Sequence, residues 1–141
     1  MTEETPYELI GGERGVRALV ERFYDHMDAD IEAHGVRDLH AKSLRSSREK
    51  LFLFLSGWLG GPDLYVQKHG HPMLRRRHLP FAIDTRMRDQ WMLCMNRALA
   101  EMPIDDALRR KLSQAFMGTA DHMRNQPEYQ QDAGLKIFPG K

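Results

Sequence analysis

Apolar residues along this chain recur every three or four positions and nowhere alternate with polar ones, so helices are the regular structure the pattern supports. Val16, Leu19, Val20, Phe23 and Met27 form one such stripe, beginning after Glu13. A second helix follows Ser43, with Leu44, Leu51, Phe54, Leu55 and Trp58 on one side. Its run Leu51–Leu55, LFLFL, could be read as a buried strand, but it lacks β-branched residues and lies inside a helix-length periodic stretch. Asp84 is placed to cap a third helix carrying Met87, Trp91, Cys94, Met95 and Ala98. After Pro103 a last helix starts near Asp105, carries Leu108, Leu112, Ala115, Phe116 and Thr119, and fades before Pro127. The fold class is all-α.

Local signals mark where these helices begin and end. Thr5-Pro-Tyr-Glu8 reads as a capping box with proline at the first helical position. Gly11-Gly12 stops that short helix, and Gly60-Gly61-Pro62 ends the one before it. Asp30 to Leu39 is more polar and suits short helical turns. A chain of 141 residues is one domain's worth. We assign residues 1–126 to that domain and 127–141 to a polar C-terminal tail with little to bury.

A formal charge of +1 argues against a nucleic-acid footprint or a polybasic membrane patch. The single cysteine, Cys94, leaves no internal disulfide and no structural zinc site. The start, MTEETPYEL, is acidic and polar, unlike a signal peptide, and the longest apolar run is too short to span a bilayer. A cytoplasmic location is expected. No oligomer interface is legible, and a monomer or weak dimer is expected.

One stretch stands outside the helical pattern: His71-Pro-Met-Leu-Arg-Arg-Arg-His-Leu-Pro-Phe-Ala-Ile83. Proline suits the first turn of a helix, and Pro80 disfavours helical conformation at Leu79. The segment therefore predicts a helix from about Pro72 to His78. Two turns cannot hold themselves in water, since isolated helices shorter than roughly 12–15 residues are marginal. At helical spacing Leu74 and Arg75 share a face with His78, beside Leu79 and Phe81 and ringed by guanidinium groups. By itself His78 is either a core histidine bonded to a carbonyl or a metal ligand. A flat apolar ligand with a metal at its centre and carboxylates at one edge matches all three features, and haem is such a ligand. His69 and His71 form an HxH pair, but no further ligand stands at helpful spacing to make a zinc site. His26, His34 and His122 suggest no role.

Five motifs together resemble the group II truncated haemoglobins: YELIGG (7–12), RFY (22–24), LGGPDLY (59–65), GHPMLRRRHLPF (70–81) and DQWMLCM (89–95). The resemblance runs from Tyr7 to about Asn125. It implies a truncated globin domain, a two-over-two helical sandwich around haem b, with His78 as the proximal iron ligand. It places Trp91 and Tyr24 in the distal pocket as donors to a bound gas. His40 falls where relatives usually carry phenylalanine or tyrosine, and is expected to bond the ligand, contact Tyr24, or act as a sixth iron ligand, a role Tyr24 could also take. Ser47 takes the place that longer globins give to a distal histidine, with Leu51 one turn on. Lys50 matches a propionate partner, while Tyr65 and Arg77 lie near the propionates or haem edge. Phe54 and Phe81 complete the expected haem contacts. Arg75 and Arg76 are expected to face solvent.

These roles imply a haem protein that reversibly binds dioxygen, carbon monoxide or nitric oxide. Several donors to the ligand suit sensing, storage or oxygen-dependent chemistry better than bulk oxygen transport. The alternative is a haem-dependent redox enzyme, a nitric oxide dioxygenase or a peroxidase acting on peroxide. The chain carries no flavin or nicotinamide motif, so that cycle requires an outside reductase. A haem-free helical interaction module is the third reading.

Overall fold

Thr5 and Glu8 close the expected capping box: the Thr5 side chain accepts from the Glu8 N–H at 3.1 Å, and the Glu8 carboxylate accepts from the Thr5 N–H at 2.9 Å. They open α1 (Pro6–Ile10) in a computed structural model that describes residues 4–127. All but one residue of the expected 127–141 tail lies outside this range. There follow α2 (Gly12–Ala29), a 3-10 turn (Ile31–Ala33), α3 (His34–Asp38) and α4 (Arg45–Trp58). Then come α5 (Leu64–His69), α6 (Leu74–His78), α7 (Thr85–Ala100) and α8 (Asp106–His122). Among the described residues there is no strand, and no helix is long and apolar enough to cross a membrane.

The long helices form two pairs, α2 with α4 and α7 with α8, joined where α2 packs on α7. Val16, Leu19, Val20, Phe23 and Met27 are completely inaccessible along α2. Each such burial favours folding by about 1.5–3 kcal/mol. The α1–α2 corner needs Gly15, where a Cβ would sit 1.9 Å from the Ile10 carbonyl oxygen. Likewise a Cβ on Gly61 would enter the Tyr7 ring at 2.5 Å. Asp84 and Asp105 cap α7 and α8, accepting from the Met87 and Leu108 N–H groups at 3.0 and 2.8 Å.

Three details differ from the sequence expectation. In α4 the residues divide between two faces, with Phe52, Leu53 and Leu55 in the core and Leu51, Phe54 and Trp58 half-buried. In α8 Ala115 is exposed, while Leu108, Leu112 and Phe116 carry the buried stripe. The short helix begins at Leu74 rather than Pro72, because Met73 takes a left-handed conformation, φ +47°.

From Val66 to Ala82 no residue is buried, so α6 has no core contact to fix it. Hydrogen bonds hold it instead. Arg75 is exposed, as expected, and donates to the carbonyls of His122 and Arg124 at the end of α8, both at 3.0 Å. Arg77 donates to the Pro72 carbonyl at 2.7 Å. The His71 Nδ1 accepts from the Met73 N–H at 3.1 Å.

Candidate functional site

A cleft of about 480 Å³ opens between α4, α6, α7 and α8, within the range of small-molecule and cofactor sites. Tyr24, His40, Ser47, Lys50, Leu51, Phe54, Tyr65, Arg77, His78, Phe81 and Trp91, the site residues the resemblance implied, all stand in its wall. His78 is on the α6 side. Its Nδ1 lies 2.7 Å from the Leu74 carbonyl, which can only accept, so this nitrogen carries the proton. In the neutral ring Nε2 is left with a lone pair, the form a metal requires.

Tyr24 and Trp91 enter the cleft from α2 and α7. Both are braced by Phe23, whose ring centroid is 4.8 Å from each of theirs. Trp91 also faces Phe116 at 6.0 Å, and Phe116 stacks on Trp58 at 4.7 Å. Neither the Tyr24 hydroxyl nor the Trp91 indole N–H meets an acceptor among the described residues, and neither is sealed in the core. Burial pushes the Tyr24 phenol far above its usual pKa, the Arg48 charge opposing only in part, so it is a neutral donor.

His40 joins them from the turn after α3. Its Nδ1 donates to the Val36 carbonyl at 2.8 Å, and its ring meets Tyr24 edge-on at 5.8 Å. Burial holds this imidazole below its usual pKa; Arg37 and His78 add to the shift and the Val36 bond opposes it. His40 is thus neutral at neutral pH, with Nε2 an acceptor.

Leu51, Phe54 and Phe81 supply apolar wall, and Ser47 stands on the α4 side. Lys50 and Arg77 add two cations, the second 5.8 Å above the Tyr65 ring. Away from the cleft, His69 lies against Tyr65 at 4.9 Å and His26 pairs with Glu101 at 2.9 Å. Among the described residues no three metal-ligating side chains gather.

The bacterial-like globin family profile matches residues 5–125. Group 2 truncated haemoglobin YjbI of Bacillus subtilis is 39% identical over 124 residues, covering 87% of this chain and 90% of that one. The chain belongs to the group II truncated haemoglobins. Among solved structures, the cold-adapted truncated haemoglobin of the Antarctic marine bacterium Pseudoalteromonas haloplanktis is 54% identical, with a TM-score of 0.85, covering 87% of this chain and 99% of that one. The truncated oxygen-avid haemoglobin of Bacillus subtilis is 37% identical, with a TM-score of 0.78, covering 86% of this chain and the whole of that one.

Membership of the group II truncated haemoglobins implies haem, and the cleft residues fit it. A histidine with a bare ring nitrogen faces apolar walls, cations stand ready for carboxylates, and α6 buries nothing that would fix it otherwise. Sequence reasoning missed two positioning residues of this truncated haemoglobin. Asn125 donates to the carbonyls of His78 and Phe81 at 3.1 and 2.8 Å and accepts from the Ile83 N–H at 3.0 Å. Arg88, also in the cleft wall, is pinned to Asp121 at 2.6 Å. No period or motif marks either one.

Proposed function

We propose that this truncated haemoglobin holds haem b through His78 and binds dioxygen reversibly, releasing it slowly. The ferrous iron of the group supplies the reversible bond to a diatomic gas. The chain's own residues supply the rest. Leu74 fixes the His78 tautomer, the apolar wall would exclude water, and Lys50 and Arg77, both in the cleft wall, would pair with the propionates. The observation that carries the reading is the pair of donors, Tyr24 and Trp91, that meet no acceptor among the described residues and share one cleft with His78. A ligand that gathers negative charge is the acceptor both lack. The oxygen-avid relative from Bacillus subtilis supports the same gas.

The test is dioxygen dissociation measured by stopped flow. Removing a bond to a charged acceptor costs about 1.5–3 kcal/mol, so Trp91→Phe and Tyr24→Phe should each speed release tenfold or more. If both leave the off-rate unchanged, the proposed pocket is wrong.

A further inference from the structure

Among the described residues at least eight arginines pair with a carboxylate. The three of α6 do not: among the described residues Arg75 and Arg77 bond only to carbonyls, and Arg76 meets only the Met73 sulfur, at 4.0 Å. From Leu64 to Ile83 the sequence has no Asp or Glu at all, against Lys68 and these three arginines. The positive charge of this segment is thus unanswered within the described chain, although the protein as a whole is nearly neutral.

The same segment has two faces. Leu74, Arg77 and His78 line the cleft. At about 100° per residue, Arg76 and Leu79 fall on the opposite side of α6. Leu79 is 53% exposed and Met73, beside the Arg76 guanidinium, is 47% exposed. An apolar residue on each side of an unpaired cation, on a helix with no buried residue, is a surface made to be covered.

We propose that the outer face of α6, Met73, Arg76 and Leu79, docks an acidic electron-carrier protein, with a reduced flavin or iron–sulfur centre. The proposal rests on the haem reading above. Reversible dioxygen binding needs ferrous iron, and the chain has no flavin or nicotinamide motif of its own. The carrier gives up one electron and is oxidised, and the ferric iron takes it; no bond to the protein forms or breaks. Docking on α6 puts the carrier behind the helix that bears His78, one helix thickness from the cleft. Unpaired cations steer an acidic partner, and a small contact lets it leave.

The experiment uses the haem-loaded protein with two acidic probes, a flavodoxin and a plant-type [2Fe–2S] ferredoxin. Binding is followed by calorimetry and by amide shifts, at ionic strengths of about 0.01 and 0.15 M, where the Debye length falls from ~30 to ~8 Å. At least one probe should bind, more weakly at the higher salt. Arg76→Glu should weaken it about tenfold or more, whereas reversal of exposed Arg110 on α8 should change it less than about twofold. The Soret band of Arg76→Glu should match the parent's. Absence of that band in the parent would sink the haem reading and the electron-carrier proposal with it, whereas a normal band without binding would sink the proposal alone. Failure of both probes to bind, or equal effects of the two reversals, overturns the proposal. So does Arg76-dependent binding to anionic phospholipid vesicles without binding to either carrier, which would make this a membrane surface.

Discussion

The imidazole of His40 meets the Tyr24 ring edge-on, centroids 5.8 Å apart, with its Nδ1–H already given to the Val36 carbonyl at 2.8 Å. Only Nε2 is left to accept, and the neighbouring Tyr24 hydroxyl meets no acceptor among the described residues. Turned toward that hydroxyl, His40 Nε2 would compete for the proton that Tyr24 would offer a ligand. Replacing it with phenylalanine should slow dioxygen release by roughly two- to tenfold, since a neutral hydrogen bond is worth about 0.5–1.5 kcal/mol. Release that quickens in His40→Phe would show that His40 donates to the ligand instead.

The same histidine should make the protein acid-sensitive. Its folded pKa lies below the ordinary value of about 6.5, so the unfolded chain binds the proton more readily. The contribution of a neutral His40 is present above that value and is lost as pH falls through the folded pKa. Unfolding free energies measured from pH 7 downward should decline, and His40→Phe should decline less steeply. Parallel curves would show that His40 is not responsible.

Tyr24 has the opposite sign. Its folded pKa is raised, so only the unfolded chain releases the phenolic proton as pH passes about 10. Stability should fall above that point, and Tyr24→Phe should remove part of the fall. Ultraviolet titration of the native protein should show the Tyr24 phenol still protonated at pH 11, read as the difference from Tyr24→Phe. A full complement of tyrosinate there, with the fold intact, would contradict the burial argument.

Much of this arrangement was readable because it depends on spacing. The caps at Thr5, Asp84 and Asp105 and the stripe of α2 follow from residue type at helical intervals, whereas the sharing of one cleft by His78, Tyr24, His40 and Trp91 was implied only by the resemblance of their motifs to the truncated haemoglobins. Periodicity did not separate the two faces of α4, because Leu51, Phe54 and Trp58 are as apolar as the core residues between them; the resemblance alone set Leu51 and Phe54 toward the haem. The late start of α6 turns on one left-handed residue, Met73, which is no glycine and carries no signal. Arg75 and Asn125 act through carbonyls 44 to 49 residues away, and a carbonyl has no sequence identity to recognise.

Asn125 offers the sharpest test of how the His78 segment is held. Through its side chain it joins the His78 and Phe81 carbonyls to the Ile83 N–H, and its own N–H donates to the Ile83 carbonyl at 2.9 Å. Because α6 buries nothing, these bonds and those of Arg75 position the segment before any cofactor enters. Asn125→Leu removes the side-chain bonds and keeps the size. The loss is about 1–2 kcal/mol, which should speed haem transfer to apomyoglobin about tenfold. The ferric spectrum should be unaltered, because the His78–Leu74 bond that sets the tautomer remains. An altered spectrum with unchanged transfer would mean that Asn125 orients the ring rather than anchoring the segment.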